Sequence, residues 1–178
     1  MMRSLFVKQA SYLVLALCLL SAPAWSAGYR VAPEDVLNIT VYDEPELSVQ
    51  EARIGIDGLI ALPLIGEVNV AGLTTEEIAR RVEALLADGY LKKPRVSVLI
   101  DKYRQFYVHG AVEKPGGYSF QDGLTVERAI VLAGGFTERA SPRSITLARE
   151  GKQGDPFPVG LKHRVRPGDV ISVGESFF

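Results

Sequence analysis

The pattern that most limits the possible folds is an order that occurs twice along the chain: hairpin, helix, then strands. In the first half, apolar and polar residues alternate with period two in Leu37–Tyr42, which predicts a half-buried strand. Asp57-Gly58 is a tight-turn dipeptide and predicts a hairpin that joins Arg53–Ile56 to Leu59–Leu62. Strands and helices mixed in this order predict an α+β fold.

The helix of the first half has the clearest boundaries in the sequence. Thr74 and Glu77 have the spacing of a capping box, and Gly89 is placed to end the helix. The apolar residues recur at helical spacing, which places them on one buried face: Ile78, Val82, Leu85 and Leu86. Alternation in Val96–Ile100 then predicts the next strand.

The second half repeats this order. A strand is predicted at Phe106–Val112, a turn at Lys114–Gly117 and a helix that begins after Thr125 and stops before Gly134. Strands follow at Ile145–Arg149 and Val170–Val173. We expect the boundary between halves near Asp101–Arg104, which gives domains at residues 28–102 and 103–174.

A short motif occurs once near each end of this region. Ala32-Pro33-Glu34-Asp35 and Arg166-Pro167-Gly168-Asp169 both lead into a predicted strand. Each therefore predicts a Pro-x-Asp turn. Two copies do not make a repeat protein.

The N-terminus has the pattern of a secretory signal peptide. Arg3 and Lys8 precede the apolar run Leu13–Leu20, and small residues follow it. We expect cleavage after Ser26, so that residues 1–26 are removed. An uncleaved anchor and a lipidated Cys18 are the alternatives; Leu17 stands where lipoprotein processing requires a small residue.

Charge and cysteine content exclude several classes of function. Loss of residues 1–26 leaves 18 basic and 21 acidic residues, a net charge near −3, which argues against a nucleic-acid partner. The single cysteine, Cys18, would leave with the signal peptide, so we expect no disulfide and no cysteine nucleophile.

No group of residues has the spacing of a catalytic or metal site. His109 and His163 are far apart, and His163 belongs to the basic stretch Lys162-His163-Arg164, which is typical of a solvated surface. The acidic residues fit turns and helix starts better than the paired carboxylates of a glycosidase. We therefore expect that the protein is not an enzyme and that it binds no metal and no cofactor.

Aromatic residues give the better candidates for ligand binding. Five lie close together beside polar side chains: Tyr103, Phe106, Tyr107, Tyr118 and Phe120. Phe106 and Val108 share one face of a strand, while Tyr107 and His109 share the other, so one face is predicted to be core and the other exposed. The candidate polymer-binding or interface residues are Arg104, Gln105, Tyr107 and His109. Filling of the core by these aromatic residues is the alternative. The terminal Phe177 and Phe178 are candidates for docking on a partner or for packing back on the core.

Six segments, taken in order, resemble the polysaccharide biosynthesis/export family. The first domain is similar in its opening, its turn and the entry to its helix: Tyr29–Leu37, Ile56–Ile60 with Leu62–Gly66, and Val70–Thr74. The second resembles the soluble-ligand-binding β-grasp domain of that family: Val108–Gly116, Ala133–Thr137 and Pro167–Ile171. The resemblance implies an α+β N-terminal polysaccharide-export domain with one helix, followed by a β-grasp domain.

The resemblance also implies a role in export. Family members form periplasmic rings through which exopolysaccharide leaves the cell, and they work with an inner-membrane copolymerase. Glu34 stands where the family usually has glycine, so we expect the first turn to lack a residue that takes positive φ at low cost. No pore-forming helix follows Phe178 in this sequence, which resembles the short periplasmic type and implies a separate outer-membrane β-barrel partner. A monomeric periplasmic carbohydrate-binding protein and a polysaccharide-modifying enzyme are the alternatives.

Overall fold

The computed structural model describes residues 28–149 and 155–176. The predicted signal peptide at residues 1–26, Cys18, Phe177 and Phe178 lie outside these residues. In the described part, the strands are β1 (Val36–Val41), β2 (Val49–Arg53), β3 (Leu59–Leu62), β4 (Gly66–Asn69), β5 (Val96–Lys102), β6 (Phe106–Gly110), β7 (Gly116–Tyr118), β8 (Ala140–Ala148), β9 (Phe157–Pro158) and β10 (Val170–Glu175). The helices are α1 (Thr75–Ala87) and α2 (Val126–Leu132), and a 3-10 turn spans Pro45–Leu47. The α+β class is confirmed.

The first half packs α1 against a three-stranded antiparallel sheet of order β2-β1-β5. The capping box is confirmed: Glu77 N–H donates to Thr74 Oγ1 at 3.2 Å, and Thr74 N–H donates to Glu77 Oε2 at 2.8 Å. Ile78, Val82 and Leu86 are buried on the helix face as predicted. Leu85 is 40% exposed, because it lies at the margin of that face.

The predicted hairpin around Asp57-Gly58 is wrong, although the chain does turn there. β2 pairs with β1, whereas β3 pairs with β4 in a separate two-stranded sheet. The Gly58 carbonyl accepts hydrogen bonds from the N–H groups of Val70 and Ala71, at 2.9 and 3.2 Å. The turn therefore joins two sheets and not two paired strands.

The second half is a mixed five-stranded sheet of order β7-β6-β10-β8-β9 with α2 packed on one face. β6 and β10 run parallel in the centre, and the other neighbours are antiparallel. Thr125 caps α2 by accepting from Arg128 N–H at 3.4 Å, as its sequence position predicts. This arrangement agrees with the β-grasp architecture that the resemblance implies.

Each half has its own hydrophobic cluster. Residues between Val31 and Val98 form the first, and residues between Phe106 and Val173 form the second. Only Tyr103, Arg104 and Gln105 separate β5 from β6. The short connection places the start of the second sheet directly beside the first turn of the chain, and this junction holds the candidate site.

Candidate functional site

Two buried aspartates hold equivalent positions in the two Pro-x-Asp turns. Asp35 Oδ2 accepts from Ala32 N–H at 2.8 Å, and Asp169 Oδ2 accepts from Arg166 N–H at 2.9 Å. Both aspartates are completely buried, a rare position for a carboxylate unless it is paired. The similarity between the two motifs is therefore a similarity of structure and not only of sequence.

The third residue of each turn has a left-handed backbone. Gly168 has φ +81°, and Glu34 has φ +73°. A positive φ at this position is required by a type II turn, in which proline precedes it. Glu34 therefore adopts a conformation that costs a side-chain-bearing residue about 1–2 kcal/mol. The first turn does lack the residue suited to it, as the sequence predicts.

Asp35 connects the two halves through Arg104. The backbone N–H of Arg104 donates to Asp35 Oδ1 at 2.8 Å, and its Nη1 lies 3.3 Å from Oδ2. Tyr29 completes the group: its hydroxyl donates to Asp35 Oδ2 at 2.7 Å, and Arg104 Nη1 donates to the Tyr29 oxygen at 2.6 Å. Since the guanidinium is only 14% exposed, solvent screens this ion pair weakly.

The environment of this group affects two phenols. Burial, followed by the hydrogen bond to the Asp35 carboxylate, raises the pKa of Tyr29 well above its ordinary value. Burial, followed by the charge of Asp122, raises the pKa of Tyr103. Both phenols therefore remain neutral hydrogen-bonding groups at physiological pH.

Asp169 holds a second arginine on the other side of the junction. Arg149 Nε and Nη2 lie 3.2 and 3.4 Å from the two carboxylate oxygens, a two-pronged arrangement that fixes the guanidinium plane. The Arg149 side chain is 18% exposed. The junction thus places two oriented guanidinium groups, Arg104 and Arg149, at the surface of the cleft between the halves.

A groove of about 470 Å³ opens on one side of these two arginines. We call it the Tyr107 groove; it is lined by Pro33, Glu34, Ile56, Arg104, Gln105, Tyr107, Ala148, Arg149, Gly168 and Val170. Its size is within the range of small-ligand pockets, about 300–1,000 Å³. Three of the four predicted binding residues, Arg104, Gln105 and Tyr107, meet there, whereas His109 does not line it.

The predicted division of β6 into a buried and an exposed face is confirmed. Phe106 and Val108 are buried, whereas Tyr107 and His109 are exposed. Tyr107 lies opposite Gly117 on β7, and a Cβ at Gly117 would come within 3.0 Å of the Tyr107 ring and 2.5 Å of Gln105 Oε1. The missing side chain at Gly117 therefore gives room for both residues beside the groove.

A larger groove of about 880 Å³ opens beside the same two arginines. We call it the arginine groove; its guanidinium groups belong to Arg30, Arg104, Arg149, Arg164 and Arg166. Tyr29, Tyr103 and Phe120 supply aromatic rings, and Asp122, His163 and Asp169 also line it. The rings pack edge to face, with centroids 5.0 Å apart for Tyr29–Tyr103 and 5.2 Å for Tyr103–Phe120.

Sequence analysis named Arg104 as a candidate and placed Tyr103 and Phe120 in the aromatic set, but it missed the other arginines of the arginine groove. It interpreted Lys162-His163-Arg164 as a solvated surface, although His163 and Arg164 line the groove. The local signal was the clustering of Arg164 and Arg166 beside the second Pro-x-Asp motif. The contribution of Arg30 was not visible, because it comes from the opposite end of the chain.

Two features are absent from the described residues: a membrane-spanning helix and a group of metal ligands. Across residues 28–149 and 155–176, no helix has both the length and the hydropathy needed to cross a membrane. The same residues contain no group of three or more His, Cys, Asp or Glu side chains placed to hold a metal ion.

Comparison with known proteins agrees with this architecture. The model of the polysaccharide biosynthesis/export protein family matches residues 24–101, and that of the SLBB domain matches residues 105–160. The EPS I polysaccharide export outer membrane protein EpsA of Ralstonia nicotianae is 30% identical over 173 residues, covering 82% of this chain and 45% of that protein. EpsA of Ralstonia solanacearum is 29% identical and is covered to 47%.

A shorter match is found in the exopolysaccharide production protein ExoF of Rhizobium meliloti. It is 34% identical over 85 residues, which cover 47% of this chain and 20% of that protein. The chain thus spans about half the length of the EpsA proteins and less of ExoF. The matched segments, their order and the fold lead to one conclusion: the chain belongs to the polysaccharide biosynthesis/export family and carries an SLBB domain.

Proposed function

We propose that this protein is a non-enzymatic component of an exopolysaccharide export machine in the periplasm of a Gram-negative cell. The observation that carries the proposal is the presence, in order, of both family domains in one chain. The names of the relatives support it, since EpsA is called an export outer membrane protein. A leader at residues 1–26 would direct the chain across the inner membrane.

In this proposal, copies of the chain form or join a ring and conduct polymer to a separate outer-membrane β-barrel. Head-to-tail contacts between identical subunits form a closed ring when the rotation from one subunit to the next is a whole fraction of a full turn. An inner-membrane copolymerase would deliver the polymer. Phe177 and Phe178 remain candidates for docking on one of these partners.

The Tyr107 groove supports a direct contact with polymer. The Tyr107 ring is 45% exposed and offers an apolar surface to the C–H face of a sugar, while the planar amide of Gln105 can bond to hydroxyls. Arg104 borders both residues. Because the groove is open and offers only a few side chains to a sugar, we expect it to bind polymer weakly. Transport requires weak binding, since tight binding would hold the polymer in place. His109 is a candidate for a subunit contact, since it is exposed on the same strand face.

A secretion assay in the native host tests the proposal. Deletion of the gene should lower secreted exopolysaccharide and raise the cell-associated fraction, and expression of the chain should restore secretion. Tyr107→Ala should reduce this rescue. Tyr90→Ala is the matched control, because Tyr90 is 51% exposed and lines neither groove. Unchanged secretion after deletion would contradict an export role.

The Tyr107 groove also favours a second candidate, a monomeric periplasmic carbohydrate-binding protein. Sedimentation velocity separates the two. A ring component should form large species alone or with its partners. A binding protein should stay monomeric under all these conditions and still bind oligosaccharide through Tyr107.

A further inference from the structure

We propose that the arginine groove binds carboxylate-bearing sugars, so that the exported polymer is an acidic polysaccharide. The inference rests on the proposed function, because it names the substrate class of the same export role. It uses a surface beside the Tyr107 groove, lined by only one of the four predicted binding residues, Arg104.

Two guanidinium groups of the groove have no acidic partner among residues 28–149 and 155–176. Arg104 pairs with Asp35, and Arg149 pairs with Asp169. Among the described residues, Arg164 and Arg166 make no ion pair, and both are exposed. These two side chains are therefore available to an anionic ligand.

The remaining charges of the groove set the kind of anion that fits. Arg30 is already bonded to Glu77 at 3.0 Å. Asp122 lines the groove, is exposed and has no cation within ion-pair distance in the described part of the chain. These two arginines and the Asp122 carboxylate leave a net charge near +1, which matches one or two isolated carboxylates and is too small to neutralise a densely charged polyanion. A uronic acid, with one carboxylate per sugar, has the matching charge density.

The chemistry of the walls favours a sugar over an acidic peptide. Guanidinium groups bind carboxylates through two parallel hydrogen bonds. Tyr103 and Phe120 add ring surfaces beside the cations, which suits a ligand with apolar C–H faces between its polar groups. The volume of the groove, about 880 Å³, is also large enough to hold more than a single charged group.

Calorimetric titration of the purified protein tests the proposal. The ligands are oligogalacturonate, a maltooligosaccharide of the same length and an oligoglutamate of the same charge. We expect oligogalacturonate to bind with an affinity that falls as salt is raised. The double variant Arg164→Gln/Arg166→Gln should lower this affinity at least about tenfold, the effect of losing one or two charged hydrogen bonds.

The control removes the same charge elsewhere. Arg80→Gln/Arg128→Gln changes two exposed arginines that line neither groove, and it should leave the affinity within about twofold. Equal affinity for the neutral oligosaccharide, equal loss in the control variant or equally strong binding of oligoglutamate would overturn the proposal. The last result would identify an acidic-peptide site instead.

The secretion assay separates this inference from the proposed function. If deletion of the gene stops secretion but oligogalacturonate does not bind, the substrate class is wrong and the export role stands. If deletion leaves secretion unchanged, the export role fails whatever the titration shows.

Discussion

The backbone N–H and the guanidinium of Arg104 both contact the carboxylate of Asp35, which lies 69 positions earlier in the chain. One buried charge therefore satisfies the main chain and the side chain of a residue that begins the second half. The contact also positions the arginine that lies between the two grooves.

Replacing Asp35 by alanine should destabilise the protein by about 3–5 kcal/mol, because it removes a completely buried carboxylate that pairs with the Arg104 guanidinium and accepts the N–H groups of Ala32 and Arg104. Urea unfolding followed by circular dichroism measures the loss. Asp43→Ala is the control: Asp43 pairs with Arg95, but the two side chains are 85% and 71% exposed, so the expected loss is below about 1 kcal/mol. Similar losses in both variants would contradict the structural role of the Asp35–Arg104 pair.

Glu34→Gly should stabilise the protein by about 0.5–1 kcal/mol. The substitution removes the strain of a left-handed glutamate, and the greater freedom of glycine in the unfolded chain offsets part of the gain. Thermal unfolding measures the change as a higher Tm. Glu67→Gly, at an exposed strand position without a positive φ, should lower it instead. A fall in Tm for Glu34→Gly would show that the side chain contributes more than its backbone costs.

Gly110→Ala should destabilise the protein by more than about 2 kcal/mol. Gly110 has φ +89°, and a Cβ there would collide with the carbonyl oxygen of Val173 on the parallel neighbour strand. Gly116→Ala tests the same exchange in the same sheet, where no atom lies within 4 Å of the added carbon, and it should stay within about 0.5 kcal/mol. Equal stability of the two variants would refute the close approach of β6 and β10.

Tyr29 should make the protein sensitive to alkali. Its pKa is raised in the folded state above the unfolded value near 10.0. Its contribution to the free energy of unfolding is therefore complete below pH 10 and is lost as the pH rises above 10. The free energy of unfolding should fall above pH 10 by up to about 1.4 kcal/mol per pH unit from this residue. Tyr29→Phe should reduce that slope, whereas Tyr90→Phe, at an exposed position, should not. Unfolding titrations at several alkaline pH values compare the slopes, and identical slopes would contradict the assignment.

The sequence predicts best where the cause is local. The alternation around Phe106 and Tyr107 places each side chain correctly, since successive residues of a strand point to opposite faces. The capping box of Thr74 and Glu77 is likewise formed by neighbours in the chain. Such features depend on a few adjacent residues and not on the rest of the fold.

Prediction fails where distant segments compete. The turn at Asp57-Gly58 has the right residues for a hairpin, but the N–H groups of Val70 and Ala71 take the Gly58 carbonyl and β2 pairs with β1. The arginine groove is a second case, because Arg30 and Arg164 meet only when the junction has formed. In neither case does a single stretch of sequence contain all the residues involved.

The three-residue connection from β5 to β6 has a mechanical consequence. Its middle residue is held by Asp35 through both its main chain and its side chain, while Gln105 accepts a hydrogen bond from Gly168 N–H at 3.0 Å. A force on one half is therefore transmitted to the other through hydrogen bonds and an ion pair, and not through a flexible linker. A polymer that moves along the cleft would therefore contact two walls that are held in a fixed relative position.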